Sequence, residues 1–243
     1  MAPNNEHIVR SFDDELRHLH LVIARMGGLA EEQLANALAS ISEQDSSLAV
    51  RTIEADAKVD DLEREADAQV VRLLALRQPV ANDLRQILAA LKIAAGIERI
   101  ADYAKNVAKR AVSLNELPTV QPVYSIPRMG RAAIAMLKDV LDAYNASDPA
   151  KALEVWNRDE TLDDLYTSLF RELLTYMMED ARNITPCTHL LFIAKNLERI
   201  GDHCTNIAEN VYFLVTGRQP GGERPKGGKD ELNVVAPIKQ TPH

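Results

Sequence analysis

Residues 93–108 read IAAGIERIADYAKNVA, and residues 193–208 read IAKNLERIGDHCTNIA. The frame returns one hundred residues later, each time in the middle of what reads as a helix. Each copy sets Glu and Asp four apart: Glu98 with Asp102, Glu198 with Asp202. Like charges at that spacing share a helical face and destabilise it by roughly 0.2–0.5 kcal/mol per pair. The pattern therefore asks what offsets the repulsion.

The repeat extends outward from these frames. Met26-Gly27, Asp45, Asp56 and Asp60 match Met129-Gly130, Asp148, Asp159 and Asp163 at an offset of 103 residues. Beyond the turn at Pro79 the offset falls to 100, carrying Asn106 onto Asn206 and Ala108 onto Ala208. A single drift confined to a loop is what a duplicated structural unit shows. Proline, glycine and capping residues divide each unit into three helices. The first runs from about Glu6 to Ser42; the second is capped by Asp45 and runs to about Arg77; the third spans about Val80 to Leu114. The fourth spans about Tyr124 to Asn145; the fifth has Asp148 as cap and Pro149 at its first position; the sixth starts at Thr185-Pro186 and reaches about Val215. Long antiparallel helices with short connections bury their apolar stripes as bundles. The expected fold is all-α, two tandem pseudo-symmetric three-helix bundles of six long helices. The first repeat covers 6–116, the second 122–216, and the Gly/Pro/Lys-rich tail 217–243 is expected to be disordered.

Composition supports a helical, soluble reading: 46% of residues are apolar, dominated by Ala, Leu, Ile and Val, and only 5% are aromatic. The net charge of −8 and the lack of a basic stripe argue against nucleic acid and against direct contact with an anionic membrane, and favour a cation or a basic protein surface. No signal-peptide pattern opens the chain, and no apolar run is long enough to span a bilayer. Cys187 and Cys204 lack metal-type spacing and read as buried free thiols of a cytoplasmic protein.

The second and fifth helices carry an apolar stripe interrupted by Asp56 and Asp60, then Glu63 and Asp67, in one repeat, and by Asp159 and Asp163 in the other. If these faces meet the third and sixth helices, each repeat gathers four carboxylates. They are Asp56, Asp60, Glu98 and Asp102, and Asp159, Asp163, Glu198 and Asp202. Four carboxylates on part-apolar faces do not all stay ionised cheaply, and a bound cation relieves them. All-oxygen ligation points to hard metals such as Mg, Mn or Fe, with Zn as a further candidate. Asn106 and Asn206 continue the row and are candidates for supporting hydrogen bonds. A lone Glu-x-x-x-Asp is usually a solvated face, and Arg99 and Arg199 would neutralise one; four such motifs at duplicated core positions are a different matter. His189 and His203 read as satisfied histidines and Trp156 as core. No phosphate loop, nucleophile elbow or His-Glu-x-x-His frame occurs, so no catalytic constellation is found.

Three segments resemble the PhoU family of bacterial phosphate-transport accessory and regulatory proteins: RQPVANDLRQILAALKIAAGIERIADYAKNVAKRA (77–111), NITPCTHLLFIAKNLERIGDHCTNIAENVYFLVTG (183–217) and FDDELRHLHLVIARMGGLAEEQL (12–34). The resemblance covers residues 6 to about 217. It implies paired three-helix bundles whose acidic motifs bind metal ions or clusters, here at the four pairs named above. It further implies a non-enzymatic negative regulator of the phosphate regulon and of phosphate uptake. Such a protein links the ATPase subunit of the phosphate ABC transporter to a sensor histidine kinase when phosphate is plentiful. Membrane contact is then only through partners, and long exposed helices favour a homodimer. One departure is Gly96, expected to loosen the third helix by roughly 1 kcal/mol relative to Ala. Two rival readings remain: an oxidase- or ferritin-like bundle, which wants Glu-x-x-His pairs absent here, and a metal-free helical adaptor with a polar seam.

Overall fold

The structure is a computed structural model that describes residues 3–77 and 79–221. Residues 222–243, on which most of the expected disordered tail falls, lie outside the described residues. Among the described residues there is no strand, and eight α-helices follow one another: α1 (Pro3–Ser42), α2 (Ser46–Ala55), α3 (Ala57–Arg77), α4 (Asn82–Asn115), α5 (Ile126–Ala146), α6 (Pro149–Asn157), α7 (Asp159–Glu179) and α8 (Ile184–Thr216). A single residue separates α2 from α3, and another separates α6 from α7, so the helices form six rods, two of them kinked.

Local chemistry sets the rod ends. The Asp45 side chain accepts from the Leu48 N–H at 2.9 Å, and Asp148 accepts from the N–H groups of Ala150 and Lys151 at 2.9 and 3.1 Å. Both satisfy donors that a helix start leaves open. Gly217, at φ 72°, ends α8 in the left-handed region that glycine adopts without strain.

The kinks are a departure from the unbroken second and fifth helices that the sequence predicts. The Asp56 carbonyl accepts from both Val59 N–H (2.9 Å) and Asp60 N–H (3.2 Å). At the second kink Arg158 N–H reaches the Val155 carbonyl at 3.0 Å, and Thr161 N–H reaches Arg158 at 3.1 Å. The bonds of Val59, Arg158 and Thr161 span three residues, the tighter 3₁₀ pattern, which inside a helix marks strain or function. Each falls at or beside the one aspartate its repeat buries fully, Asp56 (4% exposed) or Asp159 (2%). A buried carboxylate must be aimed at donors rather than packed like the leucines around it, and the tightened turn re-aims it.

The long rods α4 and α8 pack against each other at the centre, with α1, α2 and α3 on α4, and α5, α6 and α7 on α8. Alanines on the buried faces, among them Ala94, Ala101, Ala104 and Ala108 on α4 and Ala194 and Ala208 on α8, let the rods approach. Gly96 serves the same end. A Cβ there would stand 2.8 Å from Cγ1 of Ile207, so the glycine admits a side chain of α8, and α4 runs through it unbroken.

The second contact between repeats is α1 on α5. A Cβ on Gly27 would meet Leu141 Cδ2 at 2.5 Å, and one on Gly130 would meet Leu38 Cδ1 at 2.6 Å. Gly27 and Gly130, and Leu38 and Leu141, are equivalent at the 103-residue offset. The two contacts are one contact made twice, which places a pseudo-two-fold axis between the repeats. On α4 and α8 the same axis passes between Tyr103 and His203, equivalent at the offset of 100, whose rings lie 5.6 Å apart.

Candidate metal centre

In the first repeat the kink delivers Asp56 into the seam between α3 and α4. Gln33 Nε2, from α1, donates to Asp56 Oδ1 at 3.0 Å. Lys105, from α4, donates to the other Asp56 oxygen, and the same ammonium donates to Asp102 Oδ1 at 2.8 Å. The structure thus brings Asp56 and Asp102 together across a lysine. Burial alone would lower the Lys105 pKa, but its hydrogen bonds to Asp102 and Asp56 outweigh that and hold it above the ordinary value.

Glu98 stands one turn before Asp102, half-buried, with Arg99 Nε 3.6 Å from its carboxylate. Its pKa is raised, first by burial and then by the charge of Glu63, with Asp102 and Asp60 adding to the effect against Arg99. Glu63 is raised in turn by burial and by Asp67 and Asp60, against Arg99 and Arg64. Asp60, Glu63, Glu98 and Asp102 therefore feel one another as a single acidic seam. Glu63 is a member that the four-carboxylate reading did not include.

In the second repeat Asp159 is turned toward α8. Its Oδ1 lies 3.9 Å from where a Cβ on Gly201 would stand, and the end of Leu162 fills that Cβ position. Burial, reinforced by the Asp159 charge, pushes the Cys204 thiol up, so this cysteine stays a protonated core residue. Asp163, Glu198 and Asp202 are half-buried, like Asp60, Glu98 and Asp102 in the first repeat. Lys195 Nζ donates to Glu198 Oε1 at 2.9 Å and lies 5.0 Å from the centre of the Tyr166 ring. Trp156, one turn before Asp159, donates from Nε1 to Glu209 Oε1 at 2.9 Å.

Both asparagines reach the surface. Asn106 lines a surface groove with Lys109, Arg110, Ser113, Phe192 and Asn196. Asn206 is exposed, and its carbonyl accepts from Asn210 Nδ2 at 2.7 Å. The residue that continues the row beyond Asp102 is Lys105. The signal for it was present: Lys105 follows Asp102 by three, and Gln33 is a polar residue in the stripe of Met26, Ala30 and Leu34.

As the side chains stand, no group of three or more His, Cys, Asp or Glu among the described residues is set to hold a metal ion. The donors nonetheless fit a cation, because the first seam already draws an ammonium onto two carboxylates from different rods. No helix among the described residues is long and apolar enough to cross a membrane.

The PhoU domain profile matches this chain twice, over residues 23–111 and 126–211. A phosphate-specific transport system accessory protein PhoU homolog of Caulobacter vibrioides is 52% identical over 222 residues, covering 91% of this chain and 96% of that protein. A homolog of the same description from Rhizobium meliloti is 48% identical, covering 92% and 94%. The crystal structure of PhoU from Pseudomonas aeruginosa superposes with a TM-score of 0.83 at 39% identity, covering 85% of this chain and all (100%) of that one. That of the phosphate transport system regulatory protein PhoU from Streptococcus pneumoniae gives 0.80 at 29% identity, covering 86% and 99%.

Proposed function

This chain belongs to the PhoU family, and we propose that it is a metal-binding cytoplasmic negative regulator of phosphate uptake and of the phosphate regulon. In this reading it acts as a homodimer and couples the ATPase subunit of a phosphate ABC transporter to a sensor histidine kinase when phosphate is plentiful. It works as an adaptor and not as an enzyme. The observation that carries the accessory role is the near full-length likeness to relatives named for the phosphate-specific transport system. The metal reading is supported by the acidic seam itself: burial and mutual repulsion raise Glu98 and Glu63, so the ionised seam is destabilised until a cation enters.

Residues of this chain divide the work. Asp56, buried at the first kink, is tied to the central rod α4 through Lys105. Asp56, Asp60, Asp159 and Asp163 on one wall, and Glu98, Asp102, Glu198 and Asp202 on the other, would hold the cation. A bound metal ion supplies positive charge and a cross-link between two rods. The rods then keep one mutual angle, and their outer faces present one fixed surface to the partners.

A metal-free adaptor is the second reading, and the Lys105 bridge favours it for the first repeat, since it links the rods without metal. The functional test is a strain lacking the protein, carrying a reporter of a phosphate-starvation promoter, grown in high phosphate. Derepression, reversed by the wild-type chain, supports the regulatory role; normal repression in the deletion sinks it. Metal content of untagged protein, against the variant carrying Glu98→Ala, Asp102→Ala, Glu198→Ala and Asp202→Ala, tests the site.

A further inference from the structure

The two acidic seams differ at two positions that touch the buried aspartate. In the first repeat Asp56 receives Gln33 and Lys105. The equivalent positions in the second repeat are Met136 and Thr205, neither of which carries a charge. Thr205 is fully buried, and its hydroxyl donates to the Asp202 carbonyl at 2.8 Å. The second repeat has its own lysine, Lys195, but at the opposite end of the motif, on Glu198; the first repeat has Ala95 there.

We propose that Lys105 is the resident cation of the first repeat. Its ammonium joins Asp56 on the kinked rod to Asp102 on the central rod, as a metal ion bridging the two would. A metal ion entering this end of the first seam must displace it. The two repeats therefore place their lysines differently: Lys105 of the first joins Asp56 to Asp102, whereas Lys195 of the second sits on Glu198 and the position equivalent to Lys105 is Thr205. This rests on the reading that the seams bind metal.

The anchoring of the side chain argues for a fixed role rather than a chance surface pairing. Lys105 has 22% of its side chain exposed, and Asp56 has 6%. Exposed ion pairs are worth little, whereas an ammonium removed from a buried carboxylate leaves an uncompensated charge. Gln33 holds the other oxygen of Asp56, so the carboxylate is fixed before the lysine arrives.

The test uses the full chain, stripped with chelator and titrated with Mn²⁺. A background carrying Asp163→Asn and Asp202→Asn silences the second seam. In that background Lys105→Thr, which copies the second repeat, is compared with Lys105. Lys105→Met keeps the length without the charge and covers the case in which the threonine variant does not fold. Displacing two charged hydrogen bonds weakens binding about 10- to 100-fold, so either variant should bind Mn²⁺ that much more tightly than the Lys105 form. Without metal, the folded variants should melt roughly 5–10 °C below their parent, and Mn²⁺ should restore the loss. Equal Mn²⁺ affinity with and without Lys105 overturns the inference while the metal reading stands. No Mn²⁺ binding by the wild type or by either variant overturns the metal reading, and the competition falls with it.

Discussion

Adding one methyl group at Gly27 tests how the two repeats are held together. Gly27 and Gly28 are neighbours in the middle of α1, so alanine gains about 1 kcal/mol of helix propensity at either. Their surroundings differ. A Cβ on Gly28 meets nothing within 4 Å, whereas one on Gly27 stands 2.5 and 3.0 Å from the two methyls of Leu141, on a side chain only 7% exposed. Overpacking of this kind costs about 1–3 kcal/mol. Gly28→Ala should therefore stabilise by up to about 1 kcal/mol, and Gly27→Ala should be neutral to destabilising by about 2 kcal/mol. In a chain of this size each kcal/mol moves the melting temperature by about 2–4 °C. Leu141→Ala alone should cost about 2–5 kcal/mol. In the Gly27→Ala background it should cost less, because the new methyl occupies part of the space vacated. The assay is urea denaturation followed by circular dichroism on the four proteins of the cycle and on Gly28→Ala. If Gly27→Ala stabilises as much as Gly28→Ala, or if Gly27 and Leu141 behave additively to within about 0.5 kcal/mol, the close crossing of α1 and α5 is refuted.

Three further outcomes are expected. Trp156 is the only tryptophan and stands one turn from Asp159, so its fluorescence should respond to Mn²⁺; Asp163→Asn should abolish the response and Asp60→Asn should leave it. His20 stacks on Tyr144 at 4.5 Å, and burial lowers its pKa from the ordinary 6.5. The fold keeps its neutral form, so this contribution is complete above about pH 6.5 and is lost as pH falls through the lower folded value; His20→Asn should flatten thermal stability against pH in that window. Asp148→Ala removes the cap of α6 and should cost about 1 kcal/mol in the same urea assay.

Much of this architecture was legible because duplication writes each helix twice. A stripe such as Ile93, Ile97, Ile100, Ala104 and Val107, read against its copy on α8, leaves little choice but a buried helix, and Asp45 and Asp148 announce their caps. The kinks were not legible. Asp56 and Arg158 are ordinary helix residues by propensity, and the tightened turns arise from aiming a buried carboxylate, which is a tertiary demand. The Lys105 bridge was half legible. Spacing alone ties Lys105 to Asp102, but Asp56 reaches the ammonium from another rod, and no local pattern reports that. Asn106 shares the row by count, four residues after Asp102, and it also lines a groove with Phe192 and Arg110, which the count alone does not report.

The pairing of Tyr103 with His203 has a consequence for symmetry. If two separate copies of a single repeat met as these halves do, every residue on the axis would face itself, and no mutation there could change one side alone. Joining the copies in one gene removes that constraint. Tyrosine can then face histidine, and a lysine can sit in one seam while its twin becomes threonine. With both repeats in one chain, the halves can diverge separately while the crossing of Gly27 on Leu141 and Gly130 on Leu38 keeps them in register.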